Sequence, residues 1–175
     1  MKYALIGLLF GSITAWSQTQ ALTNVANGES VTLNTFKGAK TIVVIFTSNV
    51  CAYDGYYADR LRSLITTYGA NVQFILVNSY LESEETVDKM KVKYDLWAFD
   101  IPYLADKNQD WMKALGARKS PEVFVLDAQL KVVYSGAIDD NPQVAGAVKE
   151  NYLKKVLAGA KVVNTRTVGC SIRSK

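Results

Sequence analysis

Histidine is absent from the 175 residues of this chain, and cysteine occurs only twice, at Cys51 and Cys170. Without an imidazole there is no His-based metal site, no Ser-His or Cys-His catalytic pair, and no general base of that kind. Two cysteines without histidine also make a poor zinc site, so the sequence asks for no metal and no cofactor. Blocks of like charge are missing as well: 20 Lys and Arg are interspersed with 16 Asp and Glu, for a net charge of +4. That scatter argues against nucleic acid as a partner and reads as ordinary solubility.

A full-length membrane span is also lacking. Met1-Lys2 followed by the apolar stretch Tyr3 to Trp16 has a positive start and an apolar core shorter than the roughly 20 residues a span needs. Residues 1–17 are therefore expected to be a signal peptide, cut after Ser17 or after Ala21. No cysteine lies near either cut, which excludes a lipoprotein anchor at this end. An uncleaved anchor is the other reading. Both put the domain outside the cytoplasm, periplasmic or secreted, and cleavage leaves it off the membrane.

What is present is the composition of one globular domain, 49% hydrophobic and 21% charged. Residues 18–30 are polar and read as a flexible lead-in, and Ser30 to Asn34 alternates like a short edge strand. Ile42 to Phe46 is an unbroken apolar run, mostly β-branched, which predicts a strand covered on both faces. Tyr57, Leu61, Leu64, Ile65 and Tyr68 then share a helical face that stops at Gly69. Val72 to Val77 predicts a parallel neighbour of the first strand, reached by a right-handed crossover. Ser83 is the candidate N-cap of the next helix, with Val87, Met90 and Tyr94 as its buried stripe. Ile101 to Leu104 is short and extended, and Asn108 to Leu115 a short helix ending at Gly116. Val123 to Leu126 and Lys131 to Gly136 form a hairpin. Val144, Val148, Tyr152 and Val156 recur every fourth residue and predict a last helix over 143–158. Asp139-Asp140-Asn141 lacks the spacing of a calcium loop and reads as a turn. The order is that of a single α/β domain, 25–159, with a basic tail, 160–175, that carries Cys170.

Cys51 falls where the buried strand turns into a helix. In a first helical turn the free N–H groups and the dipole favour a thiolate, which makes a cysteine reactive; a small buried hydrophobe is the other reading. Tyr53, Tyr56 and Tyr57 follow it as core or pocket wall, with Tyr53 the candidate to line a substrate.

The blocks Phe46 to Tyr53, Asp59-Arg-Leu61, Ile101 to Leu104, Ala117 to Phe124, Ser135 to Asn141 and Thr165 to Ile172 resemble, in order, a bacterial thioredoxin-like redoxin family. That family belongs with the alkyl hydroperoxide reductases and thiol-specific antioxidants, and the likeness spans roughly residues 25 to 173. It implies a thioredoxin-like fold, a central mixed sheet flanked by helices. It also implies a cis peptide before Pro121, with Ser120 and Pro121 presenting backbone to a substrate held as an added strand; a rigid start to an edge strand is the other reading of Pro121. Arg118 stands near that loop, either to stabilise a thiolate or as a solvated charge.

Members commonly carry Cys-x-x-Cys-Pro-Tyr at the active turn, whereas this chain has Ser48-Asn-Val-Cys51-Ala-Tyr53. Exchange within that turn is chemically impossible with one thiol. A hydroxyl three residues before a lone cysteine is similar to a peroxiredoxin turn, in which Ser48 would orient a peroxide or bond a Cys51 thiolate. Peroxiredoxins also have a proline four residues earlier, where this chain has Val44. Cys170 is open to three arrangements: a resolving thiol for Cys51, a permanent staple, or a residue too far away to pair. Two functions follow. One is an extracytoplasmic redox protein, a thiol–disulfide oxidoreductase or thiol peroxidase, acting through Cys51 on a protein thiol or disulfide or on a peroxide, with a separate electron donor. The alternative is a catalytically silent thioredoxin-fold binding module with structural cysteines.

Overall fold

Every residue of Ile42–Phe46 is buried, because the strand lies at the middle of a sheet covered on both faces. The computed structural model describes residues 19–175, so the expected signal peptide over 1–17 lies outside the described residues. The strands are β1 (Leu22–Asn24), β2 (Ser30–Val31), β3 (Thr41–Phe46), β4 (Gln73–Asn78), β5 (Tyr103–Ala105), β6 (Lys119–Ser120), β7 (Glu122–Asp127), β8 (Val132–Gly136) and β9 (Cys170–Ser171). The helices are α1 (Ala52–Tyr68), α2 (Val87–Trp97), α3 (Asp110–Leu115) and α4 (Tyr152–Leu157).

Seven strands form one mixed sheet in the order β2-β1-β5-β4-β3-β7-β8, and β6 and β9 form a separate pair. The β3-β4 and β4-β5 ladders are parallel, β3-β7 and β7-β8 antiparallel. Successive side chains point to opposite faces. Val43, Ile45, Phe74, Leu76, Val123 and Val125 meet Tyr57, Leu61 and Leu64 of α1, Met90 of α2 and Leu153 of α4. Ile42, Val44, Phe46, Ile75 and Val77 meet Trp111 and Met112 of α3 on the other face. Each fully buried Ile or Leu contributes about 1.5–3 kcal/mol. The architecture is thus the mixed α/β sheet with flanking helices that the sequence implies.

Four local expectations are corrected. The lead-in is ordered: β1 pairs with both β2 and β5, and the buried Asn24 side chain accepts from the N–H groups of Ala26 and Tyr103, both at 3.2 Å. Ser83 begins a 3-10 turn rather than capping a helix; Thr86 is the N-cap of α2, and Val87 is exposed. The helix over 143–158 is only α4 plus a 3-10 turn at Ala145–Ala147. The Asp140 carboxylate accepts from the N–H groups of Lys149 and Glu150, which folds the chain back on itself, and Asn151 caps α4 instead. Val144, the start of the fourfold repeat, is 56% exposed. Finally, Asp139 is more than a turn residue. It is buried, accepts from the Tyr57 hydroxyl at 2.7 Å and pairs with Arg60 at 2.7 Å, tying α1 to the loop after β8.

Candidate functional site

The sheet ends of β3 and β4 and the start of α1 converge on Cys51. Phe46 ends the covered strand, residues 47–51 turn, and Cys51 is the N-cap residue of α1. Cys51 is bonded to Cys170, with Cα atoms 6.0 Å apart across a sequence separation of 119. Of the three arrangements open for Cys170, the one in which the thiols fail to meet is thereby removed. Cys51 is 6% exposed, while Cys170 is half-buried.

The tail delivers Cys170 as a strand. β9 runs antiparallel to β6, with Cys170 opposite Ser120 and Ser171 opposite Lys119. The Ile172 N–H donates to the Arg118 carbonyl at 2.8 Å, and the Cys51 sulfur lies 3.6 Å from the Ser120 carbonyl oxygen. The Ser120-Pro121 peptide is cis. Upstream, the tail is threaded past Gly136, whose φ of +140° only glycine adopts freely. A Cβ there would overlap oxygens of Thr165 and stand 2.8 Å from its nitrogen. Downstream, the buried Gln109 side chain donates to the Arg173 carbonyl at 2.7 Å and accepts from the Lys175 N–H at 2.8 Å.

Beneath the disulfide lies a buried polar network. Ser48 is 1% exposed; its hydroxyl donates to Glu85 at 2.5 Å and accepts from the N–H groups of Val50 and Cys51 at 3.2 and 3.1 Å. The other Glu85 oxygen accepts from the Asn49 N–H at 2.8 Å and the Asn78 amide at 2.7 Å. Lys93 donates to the Thr47 hydroxyl at 3.0 Å and to the Ser48 carbonyl, and stands 3.9 Å over the Trp97 ring. Thr47 donates to Asp54 at 2.5 Å. Burial pushes the Asp54 carboxyl above its ordinary range, against the pull of Lys93 and its hydroxyl partners. Burial likewise pushes the Lys93 ammonium down, against the attraction of Asp54 and Glu85. Ser120 Oγ is 2.8 Å from Asp54 and 3.0 Å from the Tyr80 hydroxyl, which donates to the Cys170 carbonyl at 2.7 Å. Lys107, lowered to about 8 by burial, donates to the Tyr80 carbonyl at 2.9 Å.

The structure thus brings Ser48, Cys51, Ser120, Pro121 and Cys170 together. Arg118 is exposed, and it meets the tail through its backbone carbonyl. Tyr53 is half-buried and packs edge-on against Tyr56 at 6.1 Å, outside the cavity beside Cys51. That cavity, about 290 Å³, is lined by Val50, Val92, Lys93, Leu96 and Trp97, and Val50 is 64% exposed. Glu85, Tyr80 and Gln109 carry no signal of their own in the sequence. Asp54 and Lys93 do: Asp54 shares the face of Tyr57 and Leu61, and Lys93 that of Met90 and Trp97, so each puts a charge on a buried stripe. Among the described residues no group of His, Cys, Asp or Glu is placed to hold a metal ion, and no helix is long and apolar enough to cross a membrane.

Residues 14–157 match the family model described as Redoxin. No curated protein sequence matches. Among solved structures, an uncharacterized conserved protein from Geobacillus kaustophilus is 29% identical, with a TM-score of 0.77 over 89% of this chain and 88% of that one. A secreted Mycobacterium tuberculosis disulfide oxidoreductase homologous to Escherichia coli DsbE is 14% identical, with a TM-score of 0.63 over 83% of this chain and 99% of that one. The Xanthomonas campestris bacterioferritin comigratory protein, described by its alkyl peroxide reduction activity, is also 14% identical, with a TM-score of 0.64 over 85% and 94%. The last two likenesses are of fold.

Proposed function

Since the chain belongs to the Redoxin family, we propose that it is an extracytoplasmic thiol–disulfide exchange protein in which Cys51 attacks and Cys170 resolves. The observation that carries this reading is the delivery of Cys170 to Cys51 on a strand paired across Ser120, the arrangement of a mixed disulfide with a bound peptide. In the reduced protein Cys51 stands at the positive end of α1, which favours its thiolate. That thiolate attacks one sulfur of a partner disulfide. A Cys51–sulfur bond forms, the partner's S–S bond breaks, and the second partner sulfur leaves as a thiolate that takes a proton from water. The Cys170 thiolate then attacks the Cys51 sulfur, the Cys51–Cys170 bond forms, and the first partner sulfur leaves. The partner gains two electrons and the protein loses two, to be restored by an external dithiol. The steps run in reverse when the partner is the stronger reductant.

A protein disulfide is preferred over a peroxide as the substrate because the Ser48 hydroxyl is occupied. Its hydrogen goes to Glu85, and two backbone N–H groups take its lone pairs, so Ser48 shapes the turn rather than orienting a peroxide. An extracytoplasmic site is supported by the apolar N-terminus, by a disulfide suited to an oxidising space, and by the secreted mycobacterial neighbour.

Trapping tests the function. Reduced Cys170→Ser incubated with a disulfide-bearing protein should accumulate an adduct on Cys51, while the parent chain clears it and ends with Cys51 bonded to Cys170. If neither form reacts faster than free cysteine, the reading fails and the silent binding module stands. Hydrogen peroxide in place of the disulfide should convert the reduced protein no faster than it converts free cysteine.

A further inference from the structure

Apart from the disulfide and the packing of the Ile172 side chain on the apolar cluster around Trp111, β9 is held through its backbone. Ile172 offers an N–H, Cys170 offers a carbonyl to Tyr80, and Arg173 offers a carbonyl to Gln109. Any extended segment carries the same groups. One position asks for a particular residue. A Cβ built on Gly169 would overlap the Ser120 carbonyl oxygen, stand 2.7 Å from the carbon of that carbonyl and 3.3 Å from the Pro121 nitrogen. The atoms it meets are backbone, fixed by the Ser120 hydroxyl, held between Asp54 and Tyr80, and by the Glu122 carboxylate, which accepts from the Arg118 and Lys119 N–H groups. They have no rotamer with which to give way. Because Gly169 directly precedes the bonded cysteine, the restriction is tied to the reacting sulfur.

We infer that the Lys119–Pro121 edge, once the tail has left it, takes an extended partner segment whose redox cysteine is directly preceded by glycine. The inference rests on the thiol–disulfide reading above and names its substrate class. The tail is then the site's own template, and tail and partner exclude one another from the edge. Resolution is therefore a strand displacement: Cys170 attacks the Cys51 sulfur as residues 169–172 retake the edge, and the partner loses its covalent bond and its backbone pairing in one event.

The probes are two synthetic peptides, Thr-Val-Gly-Cys-Ser-Ile-Arg and Thr-Val-Ala-Cys-Ser-Ile-Arg, each with its cysteine joined to glutathione as a mixed disulfide. Full-length reduced Cys170→Ser is mixed with each, and the growth of the peptide adduct on Cys51 is followed by mass, with glutathione disulfide as a reference that needs no strand pairing. The glycine peptide should react at least tenfold faster than the alanine peptide. Equal rates, within twofold, overturn the selection while leaving exchange at Cys51 intact. No adduct from any of the three disulfides defeats the exchange reading and the selection with it. Gly169→Ala in the otherwise unaltered chain is an independent check that keeps both cysteines. In one fixed mixture of reduced and oxidised dithiothreitol, the ratio of open to closed Cys51–Cys170 should rise at least fivefold over the parent, and an unchanged ratio contradicts the inference.

Discussion

The Tyr80 hydroxyl donates to the carbonyl oxygen of Cys170 at 2.7 Å, so the tail cysteine is gripped through its backbone as well as through its sulfur. Tyr80 also donates to Ser120 Oγ at 3.0 Å, so its one hydrogen is shared between two oxygens, and Ser120 Oγ in turn donates to Asp54 at 2.8 Å. Burial pushes the Asp54 carboxyl up against the pull of these donors and of Lys93.

A pH dependence follows from Asp54. Its folded pKa lies above the ordinary 3.8, so its contribution to stability is complete below that value and is lost as pH rises through the folded pKa. Asp54→Asn does not titrate there. In denaturant melts of the oxidised proteins between about pH 4 and 8, the parent should lose stability relative to Asp54→Asn as pH rises. A parent that instead gains stability relative to Asp54→Asn as pH rises would show that Asp54 is held ionised.

Glu85 receives three donors, from Ser48, Asn49 and Asn78, and is 1% exposed. Glu85→Ala leaves all three unpaired and should cost about 3 kcal/mol or more in urea unfolding of the oxidised protein. Glu85→Gln keeps the shape but turns an amide group toward one donor, for a loss of about 1–2 kcal/mol.

Opening the disulfide should loosen the whole domain. The bond closes a loop with a separation of 119 residues, and losing it should cost roughly 3–5 kcal/mol. Reduced parent and Cys170→Ser should therefore melt together, well below the oxidised parent. Melting of Cys170→Ser at the oxidised temperature would mean that backbone contacts hold the tail without the bond.

The sheet was legible in the sequence because β3 and β4 are covered on both faces, and unbroken apolar runs such as Ile42–Phe46 have few other homes. The helix over 143–158 misled because a fourfold repeat of Val144, Val148, Tyr152 and Val156 says nothing of Asp140, whose carboxylate captures the N–H groups of Lys149 and Glu150 from nine and ten residues away. At the site, Cys51, Ser48 and Pro121 sit in recognisable local patterns. The pairing of Cys51 with Cys170 spans the chain, and the partners of Ser48 and Ser120, Glu85 and Tyr80, lie 37 and 40 residues from them, so only the fold brings them together.

The reduction potential of the Cys51–Cys170 pair separates a cycling bond from a fixed one, measured by equilibrating the protein against a series of dithiothreitol redox buffers and counting free thiols by mass. A redox-cycling pair should fall within the range of exchange proteins, about −120 to −270 mV. A value below about −300 mV would rule out redox cycling and mark the bond as a permanent staple.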